Sequence, residues 1–362
     1  ERLLDAERKA EPKQLEQHNK ERAALEARIQ NLESIVCSVD FELNQRLNRL
    51  TLESTHSRII ASAEKELPAR PAVPPAGGTL ADPKRVTLGG LSTGQVLVDR
   101  YTVERELGHG GMGAVYLARD AKLGEHVALK TILSSLAGDP AEVADRFRRE
   151  VQAARKVTHP NVIRIHDLGE DGPLLFLSME YIVGETLYAR GQRLGPLPIA
   201  EAGEILVATA DGVAAAHLSG VVHRDLKPQN VLLGAENGRR IVKVIDFGLA
   251  QSSFARGLTA TGLIMGTPEY MAPEQIRGGR CDARTDVYAL AALAYFALCG
   301  RPPFSGSTPI AIGFAQVNDA AVSPRQIRPE IPERIARALL KALSKDPADR
   351  FLDAGEFRDA IA

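Results

Sequence analysis

The chain has 362 residues, of which 44% are hydrophobic and 25% charged; these are ordinary globular values, and the length suits one large domain or two to three small ones. A net charge of −1 supplies no basic field and argues against nucleic acid as a partner. The three cysteines, Cys37, Cys281 and Cys299, match no metal spacing and suit a reducing compartment, and no apolar run reaches the roughly 18 residues of a membrane helix.

Residues 1 to about 67 are rich in Glu, Arg, Lys, Leu and Gln. Leu25, Ile29, Leu32, Val36, Val39 and Leu43 follow a 4-3-4-3-4 spacing, and Leu47 and Leu50 continue the stripe, with Arg46 on the strict seam position. An apolar seam of that period predicts a coiled coil or helical hairpin, and hence a possible homodimer through residues 25–50. The alternative is a solvated helix packed on the rest of the chain. Pro12, His18 and Arg22 weaken the seam before Leu25. Residues 68–98, which include "PARPAVPPAGGTLADP", lose all periodicity and read as a linker, extended where Pro dominates and flexible at Gly77 and Gly78.

The pattern then alternates strand-like stretches with one long helix up to about residue 180, and is mostly helical after about 198. That predicts an α+β architecture: a small β-rich lobe, then a larger α-rich one. In "LGHGGMGAVYLARD", Gly108, Gly110 and Gly113 have G-x-G-x-x-G spacing. A dinucleotide site would lead from these glycines into a helix. Here Val115 and Leu117 alternate with Tyr116 and Ala118, a period of two, so the glycines sit in a strand–turn–strand. No Gly-Lys-Ser/Thr follows, which excludes a Walker loop. Bare glycines let backbone N–H groups approach phosphates.

On the next strand Ala128 and Lys130 share a face, toward the cleft under the glycine loop. The helix "DPAEVADRFRREVQAARKV" opens with Asp139, Pro140 and Glu142 as a start signal, and Phe147, Val151 and Ala154 form its inward stripe. Glu150 falls within that stripe. A carboxylate on a buried face needs a counter-ion, and Lys130 on the adjacent sheet is the expected one.

"VVHRDLKPQNVLL" at 221–233 packs His223, Arg224, Asp225, Lys227, Gln229 and Asn230 between two apolar runs. Polar clusters with proline are usually loops, but this one is pinned by strand-like residues on both sides. An acid and an amide five residues apart suit general-base or metal-assisted chemistry. The apolar run "ALAALAYFALCG" at 289–300 reads as a buried helix.

In order and spacing, the glycine loop, "VALK", the helix acid, "HRDLKPQN", "DFG" at 246–248 and "APE" at 272–274 resemble the protein kinase signature set. The resemblance covers about residues 101–357. "GTPEYMAPEQ" and "TDVYALAALAYFALCGRPPF" make it similar to the bacterial Hanks-type serine/threonine kinases. It implies a two-lobed kinase domain over 99–362, with an N-lobe of about 99–183 and a C-lobe of about 184–362. It implies ATP with Mg²⁺ (Mn²⁺ possible) as cofactors, and Ser/Thr-bearing proteins as substrates. Asp225 would be the catalytic base, Asn230 and Asp246 the metal ligands, and Lys130, clamped by Glu150, the holder of the α- and β-phosphates. Lys227 would neutralise the transferring phosphoryl group, and Thr267 would contact that acid and lysine. Leu107, Gly108, Gly110, Gly111, Gly113, Val115, Ala128 and Leu232 would line the nucleotide slot, with Met179 as gatekeeper and Glu180 and Ile182 at the hinge. His223 and Phe247 read as packing residues, and Glu274 with Arg350, and Asp286, as supports. Thr259 and Thr261 form a T-x-T pair suited to regulatory phosphorylation, with Arg224 as the partner of the phosphate. A kinase-like binding module would lack Lys130, Asp225 or Asp246, and a small-molecule phosphotransferase would not need the stretch from Asp246 to Glu274. The catalytic domain is expected in the cytoplasm. The chain begins at Glu1 rather than Met, which suits a fragment or processed chain and leaves room for membrane attachment outside it.

Overall fold

Period-two alternation after the linker becomes an antiparallel sheet of β1 (Val96–Leu97), β2 (Tyr101–Gly110), β3 (Gly113–Asp120), β4 (Glu125–Ile132), β5 (Ile165–Asp171) and β6 (Leu174–Glu180), in the order β1-β2-β3-β4-β6-β5. The computed structural model describes residues 90–110, 113–132, 140–172, 174–236, 238–247 and 267–362. The heptad segment, most of the linker, Gly111, Thr259 and Thr261 lie outside them. The described residues all belong to the unit Val86–Ala362.

Alternation gives the sheet two apolar faces. One carries Tyr101, Val103, Tyr116, Ala118, Val127, Leu129 and Phe176. The other receives α1 (Pro140–Ala154), whose Phe147 and Val151 pack on Leu177. The first face is completed by residues assigned from sequence to the linker: Leu97 is 1% exposed in that cluster, and Leu91 packs on it. The Leu91 N–H also donates to the Tyr116 hydroxyl at 2.9 Å. The linker boundary at 98 is therefore corrected, because residues 90–98 belong to the small lobe. The sheet needs the cover, and a Gly-rich stretch with two leucines supplies it while showing no periodicity.

The larger lobe contains α2 (Leu187–Leu194), α3 (Ile199–Leu218), a second sheet of β7 (Gly184–Thr186), β8 (Val231–Glu236) and β9 (Arg239–Val244), then α4 (Pro273–Ile276), α5 (Ala283–Cys299), α6 (Pro309–Asn318), α7 (Pro324–Ile327), α8 (Glu333–Ala342) and α9 (Ala354–Ile361). α5 contains the apolar run at 289–300 and is the buried helix expected. Asp282 caps its start, accepting from the Arg284 N–H, and Gly300 ends it at φ 73°. Residues 285–299 are buried on every side of it. Each fully buried leucine here, such as Leu290 or Leu293, contributes about 1.5–3 kcal/mol relative to exposure. The lobes join where Ile163 N–H donates to the Val244 carbonyl at 2.9 Å and Val244 N–H to the Asn161 carbonyl at 2.8 Å. No helix among the described residues is long and apolar enough to cross a membrane.

Candidate active site

The glycine loop is a strand–turn–strand, as its sequel predicts: Gly108 pairs with Val115 and Gly110 with Gly113 across β2 and β3. Gly113 has φ +144°, and a Cβ there would meet the Thr131 carbonyl oxygen at 1.9 Å. Only glycine lets β3 leave the turn so close to β4. Val115 is registered opposite Lys130, and Ala128 opposite Met179, so all four share one sheet face. Val115, Ala128, Met179 and Ile182 form one apolar cluster with Ile163 and Ile245. Leu107 is exposed. Leu232 is half-buried on β8, outside that cluster. Ile245, just before Asp246, was missed by sequence reading, because only the three-dimensional return of β9 brings it there.

Two loops deliver the polar groups. Asp286, at the start of α5 and 0% exposed, accepts from the backbone N–H of His223 at 2.7 Å and of Arg224 at 2.8 Å. It holds the loop backbone as expected. The His217 Nε2 joins the same carboxylate at 2.9 Å, a contact no sequence signal announced. The fully buried His223 ring accepts from the Asp225 N–H at Nδ1. Its Nε2 then carries the proton and donates to the Ile245 carbonyl at 2.9 Å. The same ring packs on Phe247 at 4.7 Å. Arg224 and Asp246 both have φ 64°, a left-handed conformation that non-glycine residues adopt only where the surroundings impose it.

Asp225 Oδ2 receives Lys227 Nζ at 2.9 Å and Asn230 Nδ2 at 3.3 Å. Asn230 also donates to the Asp225 carbonyl at 2.7 Å. Both side chains thus point their donors at the acid. The Asn230 Oδ1 accepts no hydrogen bond among the described residues. Thr267 is half-buried and forms no hydrogen bond with Asp225 or Lys227 among the described residues. The acid's Oδ2 is already taken by its two nearer neighbours.

Lys130 Nζ lies 2.7 Å from Asp246 Oδ1. Asp246 is thus an acid at ion-pair distance from Lys130, while Glu150, the partner expected from sequence, is half-buried on α1. The two acids are held differently. Asp246 follows β9 and the Ile245 N–H that donates to the Asn230 carbonyl, so its position is fixed by the loop. Glu150 rides on α1, whose grip on the sheet runs through Phe147, Val151 and Leu177. Burial pushes the Asp246 carboxyl up, but the pull of Lys130, helped by His223 and Lys227, leaves it below its ordinary range.

The Glu180 N–H is engaged by the Arg164 carbonyl at 3.0 Å. Its carboxylate accepts from the Arg164 N–H at 2.6 Å and from Lys243 Nζ at 2.8 Å. The hinge is thereby tied to β9. The Glu274–Arg350 pair expected from sequence is bidentate, at 2.8 and 2.9 Å, with Thr285 Oγ1 donating to the same acid. Chemically, the arrangement offers a carboxylate flanked by an ammonium and an amide, and an acid–lysine pair whose acid feels the charges of His223 and Lys227. Such a set can orient a hydroxyl and neutralise phosphate charge.

The protein kinase domain family matches residues 101–354. The chain belongs to the protein kinase family, in its bacterial Hanks-type branch. Serine/threonine-protein kinase PknB of Mycobacterium leprae is 39% identical over 273 residues, which cover 74% of this chain and 43% of that protein. PknB of Mycolicibacterium smegmatis is 39% identical over 274 residues, with the same shares. The chain thus spans less than half the length of these relatives. The solved PknI kinase domain of Mycobacterium tuberculosis superposes with a TM-score of 0.60 at 32% identity, covering 75% of this chain and 98% of that domain.

Proposed function

We propose that this chain transfers the γ-phosphoryl group of ATP to serine and threonine hydroxyls of proteins. The observation that carries the reading is Asp225, held by His223, Lys227 and Asn230 opposite the Lys130–Asp246 pair. Asp225 accepts the hydroxyl proton, and Lys227 neutralises the phosphoryl group as it moves. Lys130 holds the nucleotide phosphates, beneath the N–H groups of the glycine loop at Gly108, Gly110, Gly111 and Gly113. The adenine lies among Val115, Ala128, Met179, Ile182 and Ile245, with Leu107 and Leu232 at its edges, and Ile182 serves as hinge donor because the Glu180 N–H is engaged.

A divalent metal fits the donor set. Asn230 spends its Nδ2 on Asp225 and keeps Oδ1, and Asp246 adds a carboxylate; both are hard oxygen donors suited to Mg²⁺ or Mn²⁺. Bound there with the phosphates, the ion would neutralise charge on the transferring group. Glu150 on α1 is the second acid of this reading, holding Lys130 toward the phosphates. The test is incubation of the full chain with Mg²⁺, ATP and casein, followed by phosphoamino-acid analysis. Phosphoserine or phosphothreonine is the expected product. Its absence, or equal rates from Lys130→Met, overturns the reading.

The same reading places regulatory phosphates on Thr259 or Thr261, beside Arg224. Mass spectrometry of active enzyme should find them, and full activity from the double Ala variant would argue against it. The catalytic domain works on cytoplasmic ATP. Residues 1–67 pair two chains through the seam at 25–50, and the linker from 68 to about 89 lets their domains meet.

A further inference from the structure

The turn at 267–272 is joined to the rest of the large lobe by two glutamine amides, neither of which belongs to the catalytic set. Gln316 on α6 is 0% exposed. Its Nε2 donates to the Pro268 carbonyl at 2.9 Å, and its Oε1 accepts from the buried Tyr288 hydroxyl at 2.5 Å. Its own main-chain carbonyl accepts from Lys345 Nζ at 2.7 Å, with that ammonium lying 3.9 Å over the Phe304 ring. Gln275 on α4 holds the other end of the turn. Its Oε1 accepts from the Ala272 N–H at 3.0 Å, and its Nε2 donates to the Arg224 carbonyl at 2.7 Å.

The chemistry of the primary amide explains the choice of residue. It carries a donor and an acceptor in one plane, so it can join two elements at once, and it brings no charge to a site that works by charge. Burying an amide costs free energy unless both ends are satisfied. Gln316 meets that condition at a fully buried position, where Leu or Met would pack without the cost. What the amide adds is a fixed distance between α5, α6 and the turn. Gln275 adds a second fixed distance, from the end of the turn to the carbonyl of Arg224. That carbonyl belongs to the peptide unit joining Arg224 to Asp225, and Arg224 sits in the left-handed region, where a small loss of support shifts the backbone.

We propose that Gln275 and Gln316 are positioning residues for the protein substrate, holding the 267–272 turn in register with Asp225. This rests on the assignment of Asp225 as the base. The two amides act on the protein side of the reaction and leave the nucleotide side untouched, since neither touches the cleft of Lys130, Asp246 and the glycine loop.

The test uses the full chain with casein as phosphoacceptor and four variants: Gln275→Met, Gln316→Met, Gln316→Glu and the double Met variant. Met keeps the volume and removes both hydrogen bonds. Glu at position 316 keeps the Tyr288 bond and, when ionised, sets a carboxylate oxygen against the Pro268 carbonyl, so its loss should be at least that of Met and should grow as pH rises. Each single variant should lower kcat/KM for casein about ten-fold or more, since both hydrogen bonds of the amide are lost. The KM for ATP and the affinity for a fluorescent ATP analogue should stay within about two-fold. The double variant should lose less than the product of the two singles, because both amides hold one turn. Unchanged casein kinetics overturn the proposal. Equal losses on casein and on ATP binding also overturn it, since they mark a general weakening of the fold. If Gln316→Met does not fold, Gln275→Met decides alone, because Gln275 is only partly buried. Full activity from Asp225→Asn would instead sink the underlying assignment, which separates the two failures.

Discussion

The Asp225 carboxylate accepts from Lys227 and Asn230, and its N–H donates to His223. Asp225→Asn keeps the shape and removes the proposed proton acceptor. It should lower kcat by about 10²–10⁴-fold, the usual worth of a general base, with ATP affinity unchanged in a fluorescence titration. Lys345 gives a residue-scale prediction of another kind. Burial pushes its ammonium down to about 8, against the pull of Asp319 and with help from Arg350 and Arg277. Unfolded, it titrates near 10.4. Between those values the unfolded chain binds the extra proton, so the stability that Lys345 contributes rises with pH through that window and is lost as pH falls through about 8. The melting temperature of the unsubstituted protein relative to Lys345→Met should therefore be higher at pH 9.5 than at pH 7. At this scale the candidate site was legible, because Asp225, Asn230, Asp246 and Lys130 stand in fixed spacing along the chain. The amides of Gln275 and Gln316, the imidazole of His217 and the Lys243–Glu180 pair were not. Each joins segments from about 50 to 70 residues apart, and no local pattern marks a partner at that separation.

Among the elements, α5 carries the most consequence. Its first turn supplies Asp286 to the catalytic loop and Thr285 to Glu274, while its body is the apolar centre of the lobe. The Glu274–Arg350 pair beside it is almost fully removed from water, with the Arg350 side chain 0% exposed. Replacing Arg350 by Leu leaves a buried carboxylate without its partner and should cost about 3–5 kcal/mol in chemical denaturation. The strap at 90–98 is the second element with a measurable weight. Leu97→Ala empties part of the small-lobe core and should cost about 2–5 kcal/mol. A loss well under 1 kcal/mol would mean that Leu97 does not seal the sheet. Period two for the sheet and the all-apolar run of α5 were readable beforehand. The strap was not, because its cover comes from two isolated leucines in a stretch with linker composition.

For the whole molecule, the pairing proposed for the seam at 25–50 bears on the kinase unit through concentration. Self-association through the seam would raise the local concentration of a neighbouring domain toward the millimolar range. If the seam pairs two chains, placing Asp at Leu32 and Val39 should lower the mass seen in sedimentation and slow autophosphorylation at low concentration. Identical behaviour of that variant and the unsubstituted chain would end the dimer reading. Among the contacts that span both lobes of the described unit, one lies in the cleft: Lys130 on β4 and Asp246 after β9, 2.7 Å apart. It makes the cleft a discriminator between a nucleoside and its triphosphate. Adenosine uses only the apolar slot and leaves the pair in place, so its affinity should ignore divalent ions and respond little to salt. A triphosphate must draw the two partners apart and supply both with new company, anionic oxygens for the lysine and a cation for the acid. Its affinity should therefore be steep in both magnesium and ionic strength, and calorimetry of the two ligands in parallel would measure the difference directly.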